Sequence, residues 1–333
     1  MKRVVLVIGG AGYIGSHTSW LLAQQGYRVV ILDALMHQQP VNLPWATFMQ
    51  GDFGDRQLLK KIFSELAIDT VMHFAAFIEV GESVKDPAKY YNNNVIKTIH
   101  LLDVMREYSV NKLIFSSSCA VYGNPVRLPL DEEHPTNPVS PYGRTKLMIE
   151  YALQDYALAY GMRYVALRYF NAAGGLTEQG LGEFHKPESH IIPILLAAAR
   201  NNKPFNIFGT DYNTLDGTCV RDYIHVLDIA RAHVQASEYL NSDGQSQVLN
   251  LGTGIGYSVK ELVACAQEVS GEQIQINYGP RRSGDAETLV ADATKVARVL
   301  GWRPQYSDMR EIMRSAHAWQ VNLFSKELER VEV

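Results

Sequence analysis

The glycine-rich segment GGAGYIG, residues 9–15, constrains the fold of this chain more than any other feature of its sequence. It follows an apolar run, RVVLVIG, and precedes a stretch with helical spacing of apolar residues. Its glycines fit both the G-x-G-x-x-G and the G-x-x-G-x-x-G spacing. Between a strand and a helix, such glycines let a pyrophosphate approach the backbone and the free N–H groups of the helix N-terminus. Glycines alone are also compatible with a tight structural turn, so the rest of the chain must provide the context.

That context is an alternation of short apolar runs with longer amphipathic stretches. Several of the runs are almost continuously apolar, which is typical of parallel strands covered on both faces. The alternation predicts an α/β protein with a Rossmann-type doubly wound parallel sheet. The predicted strands are 3–9, 27–33, 46–52, 69–76, 111–118 and 163–171, and the predicted helices are 12–25, 55–66, 87–108 and 141–160.

The second half of the 333-residue chain has shorter elements. Residues 172–190 are rich in glycine and polar side chains and predict a long loop, a feature that is often functional. We expect a dinucleotide-binding domain at 1–171 and a smaller α/β substrate domain at 172–333, with approximate boundaries and interleaved chains. The further predicted elements are helices at 191–201, 226–240, 258–270 and 292–300, and strands at 204–208 and 247–251.

Composition excludes several classes of function. The net charge of -4 gives no bulk electrostatic attraction for nucleic acid or an anionic membrane. Cys119, Cys219 and Cys265 are far apart, and no Cys/His spacing typical of a metal site is present, so we expect neither disulfides nor a metal. The apolar stretch at 191–199 is too short to span a bilayer. The sequence therefore predicts a cytoplasmic protein in a reducing environment.

Two aspartates end predicted strands on the dinucleotide side. Asp33 lies 21 residues after Gly12. A carboxylate there accepts hydrogen bonds from the ribose hydroxyls of the adenosine and repels a 2′-phosphate, which favours NAD over NADP. Asp52 ends the third strand and is a weaker candidate for the adenine side, since a role in a turn is about equally compatible with its position.

The segment SPYGRTK, residues 140–146, combines a helix start with a tyrosine and a lysine. Ser140 is a good N-cap and Pro141 a good first helical residue, so Tyr142 and Lys146 fall at i and i+4 on one helix face. Alone, this pair is as compatible with a tyrosine packed on a lysine stem. However, Ser118 ends a preceding strand at the edge of the sheet where α/β proteins bind ligands. A Ser-Tyr-Lys set is suited to moving a proton from an alcohol while a hydride leaves its carbon.

The free energy needed to ionise the tyrosine explains why a lysine beside it is useful. A tyrosine with its ordinary pKa of about 10 is ionised in about one molecule in a thousand at neutral pH. Bringing the pKa near 7 requires about 4 kcal/mol of stabilisation of the phenolate. An ammonium roughly 6 Å away supplies on the order of 3 kcal/mol at an effective dielectric constant of about 20. We therefore expect Lys146 to be nearly sufficient, with an oxidised nicotinamide ring contributing the remainder.

Eight motifs extend this pattern along the chain: GGAGYIGSH, HFAAFIEVGESV, YYNNNV, SSSCAVYG, SPYGRTK, RYFNAAG, DGTCVRDYIHV and YGPRRSGD. In this order they resemble the UDP-glucose 4-epimerases, a branch of the extended short-chain dehydrogenase/reductase family. The resemblance runs essentially end to end, and DGTCVRDYIHV is specific to the sugar-nucleotide epimerases. It implies that the second domain binds a UDP-sugar and that the protein is a homodimer through helices matching 87–108 and 141–160.

The resemblance also implies roles for individual residues. Tyr142 would remove the proton of the 4-hydroxyl group of the sugar, Ser118 would orient or relay that proton, and Lys146 would lower the tyrosine pKa and bind the nicotinamide ribose. Bound NAD+ would accept the hydride from C4 and return it after the 4-keto sugar presents its other face. The implied cofactor-binding residues are Gly9, Gly12, Tyr13, Ile14, Gly15, Asp33, Asp52, Phe74, Asn93, Ser116, Tyr142, Lys146 and Tyr169. The implied substrate-binding residues are Ser118, Tyr142, Asn171, His190, Ile191, Phe208, Arg221, Arg282, Asp285 and Leu289.

Departures from the family pattern leave alternatives open. Ile78 stands where many epimerases carry a lysine near the cofactor, and Ala34 where asparagine is usual. Leu289, at a position thought to gate N-acetylated sugars, is intermediate in size, so UDP-N-acetylglucosamine and UDP-pentoses remain alternatives to UDP-glucose and UDP-galactose in carbohydrate metabolism. A dehydratase is disfavoured because Cys119 and Ala120 replace its acid and base. A non-catalytic NAD sensor is disfavoured because the whole Ser-Tyr-Lys set is present.

Overall fold

A seven-stranded, entirely parallel sheet forms the centre of the molecule. The computed structural model describes residues 2–36, 43–185, 187–282 and 285–331, with 325–331 described by their backbone alone. The described strands, in chain order, are β1 (Val4–Ile8), β2 (Arg28–Asp33), β3 (Ala46–Gln50), β4 (Ile68–His73), β5 (Lys112–Ser118), β6 (Arg163–Tyr169), β7 (Asn171–Ala173), β8 (Phe205–Phe208), β9 (Val220–His225), β10 (Gln247–Leu251), β11 (Gly256–Ser258), β12 (Ile276–Gly279) and β13 (Thr288–Leu289). The central sheet has the order β10-β6-β5-β4-β1-β2-β3.

Helices cover both faces of this sheet. They are α1 (Tyr13–Gln24), α2 (Arg56–Glu65), α3 (Val80–Lys85), α4 (Pro87–Tyr90), α5 (Lys97–Glu107), α6 (Pro141–Tyr160), α7 (Ile191–Arg200), α8 (Val226–Asn241), α9 (Val259–Ser270), α10 (Thr294–Leu300) and α11 (Met309–Val331). One buried cluster joins α2, α5 and α6 to one face, and a second joins α1 and α8 to the other. Because both faces are covered, strand β1 is apolar and buried along its whole length, VVLVI. The predicted doubly wound α/β fold is confirmed.

The second half of the chain contributes to both parts of the molecule. Strand β10 extends the central sheet beside β6, and α8 packs on α1. Among the other elements, β11, β9 and β13 make a small sheet, β7 pairs with β9, and β8 pairs with β12. Helices α7, α9 and α11 share a third buried cluster. The division at residue 171 stays a prediction.

Several predicted element bounds differ from the structure. The predicted helix 87–108 consists of α4, a π-helical segment at Tyr91–Ile96 and α5. The predicted strand 163–171 ends at Tyr169, and Asn171 begins β7, which pairs with β9 instead of the central sheet. The predicted loop 172–190 contains the end of β7 and a short 3-10 turn at Thr177–Gln179. None of the helices in the described part of the chain combines the length and apolar character needed to cross a membrane.

The strand order creates a crevice at one edge of the sheet. From β1 the chain proceeds outward through β2 and β3, and then returns to the other side of β1 to build β4, β5 and β6. Ligands of open α/β sheets bind at such a switch point, outside the carboxyl ends of the strands. The glycine segment after β1 and the serines that end β5 both lie at this edge.

Candidate functional site

A cavity of about 460 Å³ opens at the carboxyl edge of the central sheet. Its lining contains all of the sequence-predicted cofactor residues: Gly9, Gly12, Tyr13, Ile14, Gly15, Asp33, Asp52, Phe74, Asn93, Ser116, Tyr142, Lys146 and Tyr169. Of the predicted substrate residues, Ser118, Tyr142, Asn171 and His190 also line it. The cavity therefore joins the glycine turn to the Ser-Tyr-Lys set in one site.

The glycine turn brings backbone close to backbone. Gly9 has φ +77°, and a Cβ atom there would lie 2.5 Å from the backbone nitrogen of Ala75. Gly12 is the N-cap of α1, and no side chain caps that helix end. The N–H groups of the first helical turn are therefore available to an anion, and the absence of Cβ atoms leaves room for it. This geometry fits the pyrophosphate of a dinucleotide.

Asp33 joins the end of β2 to the glycine turn. Its Oδ2 accepts a hydrogen bond from the backbone N–H of Ala11 at 2.9 Å, and its Oδ1 accepts one from Leu35 at 2.8 Å. A carboxylate has about four acceptor sites, so each oxygen retains one for ribose hydroxyls. The residue thus has a structural role in the turn and remains suited to the predicted role toward the adenosine ribose.

Asp52 and Lys97 place opposite charges in the lining of the cavity. The Nζ atom of Lys97 lies 2.6 Å from Asp52 Oδ2, and Oδ1 accepts a hydrogen bond from the N–H of Gly54. Burial raises the pKa of Asp52, but the Lys97 ammonium and the Gly54 N–H outweigh it, and the pKa is lowered from its ordinary value. Ile78, where the family pattern has a lysine, also lines the cavity.

Helix α6 presents Tyr142 and Lys146 to the cavity. As predicted, Ser140 caps the helix, with its Oγ accepting from the N–H of Gly143 at 3.1 Å, and Pro141 is the first helical residue. Lys146 is 2% exposed, and its Nζ donates to the carbonyl oxygen of Ser116 at 2.6 Å. Ser118, the last residue of β5, forms a side-chain hydrogen bond with Tyr142.

Burial dominates the protonation of this pair. It raises the pKa of Tyr142 to about 12, with partial compensation by the hydrogen bond from Ser118. Burial also lowers the pKa of Lys146 to about 7, against the opposing charge of Glu150. The expectation that Lys146 alone nearly suffices to ionise Tyr142 is therefore wrong for the protein groups by themselves, because it omitted the desolvation of both side chains.

The lining of the cavity does not include the predicted substrate residues Ile191, Phe208, Arg221, Arg282, Asp285 and Leu289. Arg221 lies on β9 with its Nη2 3.8 Å from Asp285 Oδ1, and the guanidinium of Arg282 lies 4.1 Å from the centre of the Phe208 ring. Leu289 pairs with Arg221 in the small sheet, in β13, and packs in a cluster with the cavity residue Cys119. Asn171 Nδ2 donates to the carbonyl oxygen of Asp222, and Ile191 begins α7.

Two glutamates and two histidines, Glu183, His185, Glu188 and His190, form a cluster beside the cavity. The Nδ1 atom of His190 lies 2.8 Å from Glu183 Oε1 and 3.2 Å from Glu188 Oε1, and His185 Nδ1 lies 3.5 Å from Glu183 Oε1. Burial lowers the pKa of His190, but the two glutamates outweigh it and raise the pKa to about 10. A charged His190 balances the carboxylates. The donor set is also one that can ligate a metal, and no Cys/His spacing in the sequence predicted it.

Comparison with known proteins identifies the family. Residues 5–252 match the model of the "NAD dependent epimerase/dehydratase family". The chain belongs to this family. It is 51% identical over 316 residues to a UDP-glucose 4-epimerase of Rhizobium meliloti (strain 1021), with 95% of this chain and 96% of the relative covered. The corresponding enzyme of Halalkalibacterium halodurans is 50% identical, with 95% and 94% covered.

Solved structures of this epimerase/dehydratase family have the same fold. The UDP-glucose 4-epimerase from Brucella ovis in complex with NAD superimposes with a TM-score of 0.92 at 49% identity, covering 95% of this chain and 97% of that chain. The enzyme from Bifidobacterium longum in complex with NAD+ and UDP has a TM-score of 0.89 at 40% identity, covering 96% and 98%. The predicted resemblance to UDP-glucose 4-epimerases and the predicted cofactor NAD are confirmed.

Sequence reasoning missed several residues of this epimerase/dehydratase site. Lys97 reads as an ordinary residue of a helical stretch, and no local motif indicated that it faces Asp52. Glu183 and His185 lie in the predicted loop, where the spacing E-x-H-x-x-E-x-H of residues 183–190 was the available signal. Both line the cavity, which the sequence pattern did not show.

Proposed function

We propose that this protein is a UDP-glucose 4-epimerase that interconverts UDP-glucose and UDP-galactose by inverting C4 of the sugar. The observation that carries the proposal is that Ser118, Tyr142 and Lys146 line the same cavity as the glycine turn. The relatives at about half identity over nearly the full chain carry this name, which supports transfer of the activity.

The cavity residues fit a resident dinucleotide. The N–H groups at the start of α1 would hold the pyrophosphate, Asp33 the adenosine ribose, and Lys146 the nicotinamide ribose. When bound, NAD+ supplies a positively charged ring and the acceptor, and later the donor, for the hydride of the sugar C4, so that a 4-keto sugar forms transiently.

Tyr142 is the group suited to move the proton. Its phenolic oxygen accepts the proton of the sugar 4-hydroxyl while the bond between C4 and its hydrogen breaks, and returns it when that bond re-forms on the other face. The hydrogen bond from Ser118 holds the phenol in place and favours its ionised form. Because burial raises the pKa of Tyr142 to about 12, the phenolate requires nearby positive charge.

Lys146 supplies part of that charge from a fixed position. Its Nζ donates to the carbonyl oxygen of Ser116, and it is buried between the rings of Phe115 and Tyr142, 5.0 and 5.9 Å from their centres. Because its pKa is about 7, the Lys146 amine is only partly protonated near neutral pH. The charged lysine is therefore the form that assists the reaction.

The basic residues outside the cavity fit a nucleotide diphosphate. An acidic protein needs local cations for such a ligand, and Arg221 and Arg282 supply them from the small sheet and from the segment after β12. Phe208, under the Arg282 guanidinium, offers an aromatic face. We assign these residues, with Asn171, His190, Ile191, Asp285 and Leu289, to UDP-sugar binding.

N-acetylated sugars remain a second candidate substrate, whereas dehydration is disfavoured. A 38% identical structure, the UDP-Glc/GlcNAc 4-epimerase from Campylobacter jejuni, superimposes with a TM-score of 0.83, which keeps N-acetylated sugars as the second candidate substrates. Dehydration needs an acid beside the serine, but burial raises the pKa of the Cys119 thiol to about 12, and Ala120 has no titratable group.

We also propose a cytoplasmic homodimer. Met148, Tyr151 and Leu158 are spaced three and seven residues apart on one face of α6 and are exposed, by 45%, 52% and 91%. Exposed apolar side chains aligned in this way are typical of a partner surface, and a second copy is the occupant that the resemblance implies. The three cysteines are free thiols, which fits a reducing compartment.

The test of the proposed activity is direct. The purified protein is incubated with UDP-galactose, UDP-N-acetylgalactosamine or a UDP-pentose, and the configuration at C4 is followed by NMR. We expect UDP-galactose to convert to UDP-glucose without added oxidant, with NAD retained by the protein. Unchanged UDP-galactose in the presence of bound NAD contradicts the proposal.

A further inference from the structure

Three consecutive serines, residues 116–118, end strand β5, and each contacts a different residue of α6. Ser118 forms a side-chain hydrogen bond with Tyr142, and the carbonyl oxygen of Ser116 accepts from Lys146 Nζ. The hydroxyl of Ser117 donates to Glu150 Oε1 at 2.5 Å. The three α6 residues follow at intervals of four, so they lie on one face of the helix. Glu150 therefore extends the Tyr142–Lys146 row by one turn toward the interior.

Glu150 is a buried carboxylate, and both of its oxygens accept hydrogen bonds. It is 1% exposed and accepts two hydrogen bonds from Arg168 of β6, from Nε to Oε1 at 3.0 Å and from Nη2 to Oε2 at 2.6 Å. Arg168 also donates to the hydroxyl of Tyr122 at 3.0 Å, and that hydroxyl donates to Asn250 Oδ1 at 2.6 Å. Apolar residues of similar volume often stabilise a protein core as well as a buried ion pair does, whereas removing one partner leaves an unpaired buried charge. The position of the pair beside the site is therefore the feature that points to a further role.

The charged and titratable groups around Lys146 identify what Glu150 adds. His73 of β4 is buried, and burial lowers its pKa to about 3, so it is neutral. From β6, burial raises the pKa of the Tyr169 phenol well above its ordinary value. From α6 and the turn after β5, Tyr142 and Cys119 each have a pKa of about 12. Glu150 is the group whose charge opposes the loss of the Lys146 proton, while Arg168, beyond it, has the opposite sign.

We propose that Glu150 is a positioning residue for the reaction: it keeps Lys146 charged through its carboxylate and fixes the end of β5 through Ser117. This inference rests on the proposed epimerase activity, since Lys146 must be charged to assist Tyr142. The Glu150 carboxylate is held from two sides, by Arg168 and by Ser117. One helical turn away, the Nζ atom of Lys146 donates to the carbonyl oxygen of Ser116.

The proposal is tested by the pH dependence of kcat with UDP-galactose. Glu150→Gln retains the shape of the side chain but removes its charge. We expect the alkaline limb of the profile to move to lower pH by about one unit, because Lys146 loses its proton more easily. On the alkaline limb, above the pKa of Lys146 in both proteins, kcat should fall about tenfold, while KM for UDP-galactose and the retained NAD stay at parental values.

Three further variants separate charge from structure. Ser117→Ala removes the hydrogen bond and keeps the charge, so it should lower kcat without moving the limb. Arg168→Gln removes the opposite charge and should move the limb to higher pH; it carries the test if Glu150→Gln does not fold. Glu65→Gln, at an exposed position of α2, is the matched control and should leave the profile unchanged.

The outcomes distinguish this inference from the activity on which it rests. A parent protein that does not invert UDP-galactose refutes the proposed function. If the parent is active but the alkaline limb of the kcat profile moves in neither Glu150→Gln nor Arg168→Gln, the role of Glu150 is refuted. Equal loss of kcat at every pH assigns the ion pair to structure alone and also overturns the inference.

Discussion

The ammonium of Lys146 lies 5.9 Å from the centre of the Tyr142 ring, in a cavity where Lys146 is buried and Tyr142 is half-buried. At this distance the lysine charge can stabilise the phenolate through space, without a hydrogen bond between the two side chains. Burial disfavours both the phenolate of Tyr142 and the ammonium of Lys146. Added positive charge in the cavity is therefore expected to lower the pKa of Tyr142. The state of the cofactor is therefore expected to control the tyrosine.

We predict that the Tyr142 pKa is lower with NAD+ bound than with NADH bound. The oxidised ring is positively charged and stabilises the phenolate, whereas the reduced ring is neutral. The measurement is an ultraviolet titration of phenolate absorbance in both forms, with Tyr142→Phe subtracted to remove the other tyrosines. The same phenolate pKa in the two forms would refute the coupling.

His190 should give the protein a pH-dependent stability. Glu183 and Glu188 raise its folded-state pKa to about 10, above the value of about 6.5 in the unfolded chain. The stabilisation is therefore fully present below about pH 6.5 and is lost as pH rises through about 10. Urea unfolding at several pH values should show the free-energy difference between the parent and His190→Gln shrinking as pH rises. The control is His317→Gln, on α11, and a difference that does not vary with pH contradicts the prediction.

Leu289 is predicted to limit the size of the sugar. It packs in the same cluster as the cavity residue Cys119, so a larger side chain there extends toward the site. Leu289→Tyr should reduce kcat/KM for UDP-N-acetylgalactosamine at least about tenfold more than for UDP-galactose. Leu289→Met, of similar volume, is the control. If turnover of the N-acetylated sugar exists and survives the tyrosine, Leu289 is not the gate.

The exposed face of α6 is predicted to form the dimer interface. Tyr151→Glu places a charge among Met148 and Leu158 and should convert the dimer to a monomer, because an unpaired charge is costly to bury. Light scattering after size exclusion measures the mass. Tyr278→Glu, at a 64% exposed position of β12, should remain dimeric. A parent protein with the mass of one chain, or a dimeric Tyr151→Glu variant, would contradict this interface.

Local sequence patterns were sufficient to predict the strands of the central sheet and the start of α6. The apolar runs of β1, β2, β4, β5 and β6 predicted buried parallel strands, and the cap formed by Ser140 and Pro141 predicted where α6 begins. Both are properties of neighbouring residues. The thirteen cofactor positions implied by the family motifs all line one cavity, which the glycine turn and Asp33 alone did not require.

The missed features depend on contacts between distant residues. Strand β9 carries charged residues at 221 and 222 and pairs with three short strands, so its own pattern is not that of a strand. The helix predicted at 87–108 is interrupted by a π-helical turn, where Asn94 hydrogen-bonds Phe77 on the preceding loop. The pKa of Tyr142 was misjudged because desolvation depends on burial, which sequence spacing does not show.

The central claim, that Tyr142 transfers the proton during C4 inversion, is tested by one comparison. The parent and Tyr142→Phe are purified, matched for NAD content, and assayed by NMR for conversion of UDP-galactose to UDP-glucose. We predict that the variant retains NAD and loses about 10²- to 10⁴-fold in kcat, the usual contribution of a positioned acid–base group. Conversion by Tyr142→Phe at the parental rate would contradict the account.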